Sequence, residues 1–73
     1  MEVIVTGAEL KAIRETFRLS ASAMGRALGY SGPKANIAVH IRRLERGDRR
    51  IPPPVERLAY MFWREGIPKG WSA

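Results

Sequence analysis

Helix-starting and helix-stopping residues divide this chain so finely that little except a set of short helices fits between them. Thr6 followed by Glu9 is a T-x-x-E capping box, in which each side chain satisfies a backbone donor that the new helix leaves free. Leu10, Ile13 and Phe17 then recur as one apolar stripe, with Lys11, Glu15 and Arg18 toward water, so an amphipathic helix is expected over residues 6–18. Ser20 is a good N-cap for a second helix through Ala21, Met24, Ala27 and Leu28, and Gly29 stands where a left-handed closing residue is favoured. Tyr30-Ser31-Gly32-Pro33 is turn chemistry, and Pro33 suits the first position of a third helix over residues 33–46, ended by Gly47. After Pro52-Pro53-Pro54, with Pro54 as the expected start, a fourth helix has Val55, Leu58, Ala59 and Phe62 as its inner stripe and Gly66 and Pro68 as its end. Val3-Ile4-Val5 is prone to extended structure but has no partner strand, so it is expected as an arm packed on the domain or paired with its own copy.

The chain has 73 residues, room for one domain, and a domain of this size hides only about 60% of its unfolded surface. With no Cys and one His, neither a disulfide nor a structural metal is available to brace it, which makes a homodimer the expected source of extra stability. The same inventory holds no thiol nucleophile, no metal-ligand cluster and no triad pattern, so neither enzyme activity nor a cofactor is expected. No apolar run approaches the roughly 18 residues of a membrane span, and none resembles a secretion signal, so a cytoplasmic protein is expected.

Charge is the feature that points to a partner. Thirteen Lys and Arg against seven Asp and Glu leave +6, a balance common in domains that meet polyanions. Residues 34–50 hold six basic and two acidic side chains, so two thirds of the excess lies in one segment. On a helical wheel Ile37, Ala38, Ile41, Leu44 and Glu45 share the inner side of the third helix. Asn36, Val39, Arg43 and Arg46 point the opposite way, flanked by His40 and Arg42.

The stretches L-K-A-I-R-E-T-F-R-L-S from Leu10, A-x-x-x-G-R-A-L-G-Y-S from Ala21 and I-R-R-L-E-R-G-D-R-R-I-P from Ile41 resemble the phage-repressor and Cro type of helix-turn-helix domain, the XRE family, over residues 6–62. The resemblance implies an all-α domain of four or five helices, with residues 6–66 as its core, an arm over 1–5 and a tail over 67–73. It also implies that Arg14 of the first helix pairs with Glu45 near the end of the recognition helix. Two departures stand out. The interval from Ser31 to Glu45 is longer than the family's, so either the turn is a longer loop or the recognition helix gains residues at its N-terminus; the second is favoured by Pro33 and by the tolerable helix formers Lys34, Ala35 and Asn36. Ala21 stands where the family often has a Gln that touches phosphate, so the family's docking does not transfer unchanged.

Aligned backwards from Glu45, the resemblance places Val39, His40 and Arg43 at base-facing positions, and the wheel adds Asn36 to that side. Arg43 suits guanine, Asn36 adenine and Val39 a thymine methyl. Ser31, Lys34, Arg42, Arg46, Arg49 and Arg50 are expected at phosphates, which position a protein without specifying sequence. Tyr60, Met61, Trp63, Ile67 and Trp71 offer more apolar surface than one inner stripe hides; they are expected either as a dimer interface or, for Ile67 and Trp71, folded back over the patch. The expected function is a DNA-binding transcriptional regulator, most simply a repressor that binds a pseudo-palindromic operator on double-stranded DNA as a homodimer, working at the nucleoid without a small-molecule ligand. The competing expectations are a protein-binding module such as an antitoxin or adaptor, and a nucleic-acid binder that works by charge alone.

Overall fold

The four helices of this domain begin and end where local hydrogen bonding changes hands. The computed structural model describes residues 5–73, which form α1 (Gly7–Thr16), α2 (Ala21–Ala27), α3 (Lys34–Arg46) and α4 (Pro53–Glu65), with no strand among the described residues. A Cα radius of gyration of 11.0 Å is that of a closely packed chain, for which about 11 Å is expected at this length.

At the start of α1, Glu9 N–H donates to Thr6 Oγ1 at 3.1 Å and Thr6 N–H donates to Glu9 Oε1 at 3.0 Å, which completes the capping box. These bonds from Thr6 hold the Glu9 carboxyl below its ordinary range, so their stabilisation is full above the unfolded carboxylate value and fades as pH falls through the lowered folded one. The helix ends at Thr16, two residues short of expectation, because Arg18 takes a left-handed conformation (φ 56°) and Leu19 N–H turns back to the Arg14 carbonyl at 3.1 Å. Phe17 is thus a cap residue, half-buried beneath the end of the helix.

Ser20 caps α2 by accepting from Ala23 N–H at 3.1 Å, and Gly29 at φ 96° lets the chain leave the helix. Met24, Ala27 and Leu28 enter the core from one side of this helix. Gly25 does something different: a Cβ there would lie 2.2 Å from Ile37 Cγ2 and 3.1 Å from Ile41 Cγ1, so the absent side chain is what allows α2 and α3 to approach.

Pro33 is the cap of α3 and not its first helical residue, because its carbonyl is what Asn36 and Ile37 N–H bond to. Of the two expected accommodations for the long interval before Glu45, the helix takes Lys34, Ala35 and Asn36, while residues 31–33 stay in the connection. At the far end Gly47 adopts φ 81° and its N–H closes on the Leu44 carbonyl. Helix α4, by contrast, starts one residue earlier than expected, at Pro53, since the Pro52 carbonyl already accepts from Val55 and Glu56 N–H.

The core is one cluster in which Phe62, Leu10, Met24, Ile41 and Leu44 are fully enclosed. Ile37, Ile41 and Leu44 of α3 pack mainly against α2 and then α1, while α4 closes the other side through Val55, Ala59 and Phe62, with Leu58 only half-buried. Residues 67–73 form turns, not a fifth helix, and Trp71 stands edge-on to Phe62 with ring centroids 6.0 Å apart. The expected arm at Val3 and Ile4 lies outside the described residues, but Val5 is buried and its N–H donates to Glu56 Oε2 at 2.9 Å.

Candidate nucleic-acid interface

Because α3 is held on two sides, its remaining face has a fixed direction. The inner residues sit against α2 at the Gly25 approach, and the C-terminal end is gripped by α1. The grip is Arg14. Its Nε donates to Glu45 Oε2 at 2.7 Å, Nη2 to Glu45 Oε1 at 3.1 Å, and Nη1 to the Leu19 carbonyl at 3.1 Å. The Glu45 side chain is 5% exposed and that of Arg14 18%, so most of the pair is out of water, and the bond to Glu45 raises the guanidinium's pKa. A two-pronged contact of this kind fixes orientation as well as distance. It also removes the only acid of α3 from the solvent side.

What remains outside is basic and polar. Asn36, Val39, Arg43 and Arg46 are exposed at spacings of three and four residues, a stripe about 15 Å long at 1.5 Å per residue. Val39 is 46% exposed, the one exposed apolar residue larger than Ala on this stripe. Lys34 and Arg42 are also exposed on this helix, as are Ser31 in the turn before it and Arg49 and Arg50 in the turn after it. Among the described residues no carboxylate pairs with Lys34, Arg42, Arg43, Arg49 or Arg50.

Two site residues have side-chain contacts of their own. Arg46 is not a free cation, since its Nε and Nη2 both reach Asp48 Oδ2, at 3.1 and 3.0 Å; the pair is exposed and so contributes little, leaving Arg46 able to exchange partners. His40 is only half-exposed and meets the Tyr30 ring edge-on at 4.7 Å between centroids, so it sits at the shoulder of the stripe and not at its crest. Burial pushes the Tyr30 phenol up from its ordinary value. Tyr30 and Gly25 support the site from behind; in sequence the signal for Gly25 is a glycine inside a helix, about 1 kcal/mol poorer than Ala there.

The apolar candidates do not form one patch. Met61, Ile67 and Trp71, with Leu58 and Phe62, line a groove of about 210 Å³, while Trp63, 58% exposed, and Tyr60 lie off it. Arg64 partly covers Tyr60, with its guanidinium 5.9 Å from the ring centroid. Trp71 folds back onto Phe62, one of the two expectations for the tail, and is still 49% exposed. Among the described residues no three acidic, His or Cys side chains gather as a metal site, and no helix is long and apolar enough to cross a membrane.

Comparison with protein-family models, with curated proteins and with solved structures finds no match to this chain.

Proposed function

We propose that this protein is a sequence-specific double-stranded DNA-binding regulator of the helix-turn-helix type, with α2 as the supporting helix and α3 as the reader in the major groove. The observation that carries this reading is the acid-free outer stripe of α3, whose one carboxylate is turned inward onto Arg14. The groove is about 12 Å wide and admits one helix, and each base pair shows a distinct pattern of donors, acceptors and methyl groups along it. Arg43 pairs with guanine O6 and N7, Asn36 with adenine N6 and N7, and Val39 presses on a thymine methyl, with His40 at the edge of the reading surface. Lys34, Arg42, Arg49 and Arg50, with the Ser31 hydroxyl and an Arg46 released from Asp48, hold phosphates.

The simplest regulatory action for such a domain is occlusion. Two copies bound at half-sites about one helical turn apart cover the DNA that polymerase would use. The apolar groove of α4 and the tail, together with Trp63, supplies exposed surface from which a second copy is held.

Base readers and phosphate holders are separable by experiment. Arg43→Ala is expected to lose about 1–3 kcal/mol of discrimination at one base position, while Arg50→Ala weakens all duplexes alike and lowers the salt slope by about 1. Binding isotherms on a panel of single-base variants, repeated at three salt concentrations, give both quantities. Identical profiles for the two variants on every duplex would remove α3 as the reader.

A further inference from the structure

The connection between α2 and α3 carries an aromatic ring whose place is set by main-chain bonds. Gly29 takes the left-handed conformation at φ 96°, its N–H donates to the Arg26 carbonyl at 3.0 Å, and Tyr30 N–H donates to the Gly25 carbonyl at 2.9 Å. This is the paired closure of a Schellman motif, with Tyr30 as the residue that turns back over the helix end. Tyr30 is half-buried and packs against the core. Gly25, whose carbonyl holds Tyr30, is also the residue at which α2 meets Ile37 of α3. His40 lies three residues beyond Ile37, on a neighbouring line of the same helix, so Gly25 fixes both members of the ring pair. The result is the contact of Tyr30 with His40, 4.7 Å between centroids and 62° between planes, a favoured arrangement for two aromatic rings.

We infer that Tyr30 is a positioning residue for base reading, which holds the His40 imidazole at a fixed angle beside Asn36 and Arg43 without touching a base itself. His40 stands four residues after Asn36 and three before Arg43, so the three side chains are neighbours on the helix surface. An imidazole N–H donates to the acceptors that a purine shows in the major groove. Immobilising a side chain at an interface costs roughly two- to tenfold in affinity, and a ring held before DNA arrives is spared most of that loss. A ring held in one direction also meets one base and not its neighbour, so the contact raises preference as well as affinity. This role rests on the proposed DNA-binding function, whereas the ring contact does not.

The chain has one histidine, so the His40 ring protons are the only imidazole signals in a proton–carbon correlation spectrum. Without DNA and at one fixed pH, these signals are expected to be nearly the same in the native protein and in Tyr30→Phe, and displaced in Tyr30→Leu, which removes the ring. Unchanged signals in Tyr30→Leu would overturn the inference. On a duplex selected from a random pool, Tyr30→Leu and His40→Ala are each expected to bind about fivefold more weakly and to lose preference at the same base position, while Tyr30→Phe binds as the native protein does. In the double variant the loss should stay near about fivefold, because both changes remove one interaction. Losses that multiply, or weakened binding by Tyr30→Phe, would show that Tyr30 acts other than through His40. Circular dichroism at the binding temperature shows whether each variant is folded, and Tyr30→Met takes the place of Tyr30→Leu where the latter is not. A protein that binds no duplex refutes the DNA-binding function and this role with it; one that binds its duplex with multiplied losses refutes the role of Tyr30 alone.

Discussion

Replacing Glu45 with Ala is expected to lower the melting temperature by 10 °C or more, at about 4–8 °C for each kcal/mol in a domain of this size. The carboxylate is 5% exposed and accepts from two nitrogens of Arg14, which is itself 18% exposed. Its removal leaves a largely buried guanidinium with one remaining partner, the Leu19 carbonyl. Breaking a buried ion pair from one side costs about 3–5 kcal/mol, and the partial exposure of Arg14 places this pair near the lower figure. Arg14→Ala is expected to be as harmful, because it strands the more deeply buried member. The double variant Arg14→Met with Glu45→Leu should recover part of the loss, since no charge is then left unpaired. Thermal unfolding of all three, followed by circular dichroism, checks the ordering; equal melting temperatures for Glu45→Ala and the native protein would mean that the pair orients nothing. A small core rarely supplies more than about 3–5 kcal/mol, so either single variant consumes most of what holds α3 in place.

Gly7→Ala is expected to be of similar severity for a steric reason. Gly7 is the first residue of α1 and abuts the C-terminal turn of α3, where an added Cβ would lie 2.4 Å from the Glu45 carbonyl oxygen and 2.5 Å from that of Leu44. Both obstacles are main chain, so no rotamer relieves them, and α1 has to move away from α3. Overpacking costs about 1–3 kcal/mol in cores that can adjust, and a backbone obstacle puts this site at the upper end. The contact also shares its location with the Arg14–Glu45 pair, so the same displacement lengthens those hydrogen bonds. At Gly25 the nearest obstacles are side chains, Ile37 Cγ2 at 2.2 Å and Ile41 Cγ1 at 3.1 Å, so the main chain of α3 is not struck directly, and the helix gains about 1 kcal/mol in propensity from Ala. Gly7→Ala should therefore destabilise more than Gly25→Ala in denaturant titrations of the two proteins. The opposite order would show that α1 docks on α3 more loosely than the Gly7 contact requires.

The parts of this architecture that can be read from the sequence are those set by neighbours in the chain. Thr6 with Glu9, Ser20 with Ala23, and Gly29 and Gly47 at helix ends act within a few residues, so residue type and spacing carry the whole signal. The sides of α3 follow from periodicity alone, and the Arg14–Glu45 contact followed from a family resemblance. Proline boundaries were off by one because Pro33 and Pro52 act through their carbonyls, a role that looks the same in sequence as a first-turn proline. The pairing of Arg46 with Asp48 is exposed and spans two residues, so it has no periodic signature in the sequence. The return of the tail brings Arg26 to Ala73 across 47 residues, and Trp71 to Phe62 around a turn, neither of which local patterns encode.

The central claim, that the outer face of α3 reads base sequence, is tested most directly by selecting bound duplexes from a random pool at physiological salt. The expected result is one enriched motif, present as two half-sites about one helical turn apart and bound at least about a thousandfold more tightly than unrelated DNA. A pool that stays random through successive rounds, with binding that only weakens as salt rises, would contradict it and leave a protein held to nucleic acid by charge alone.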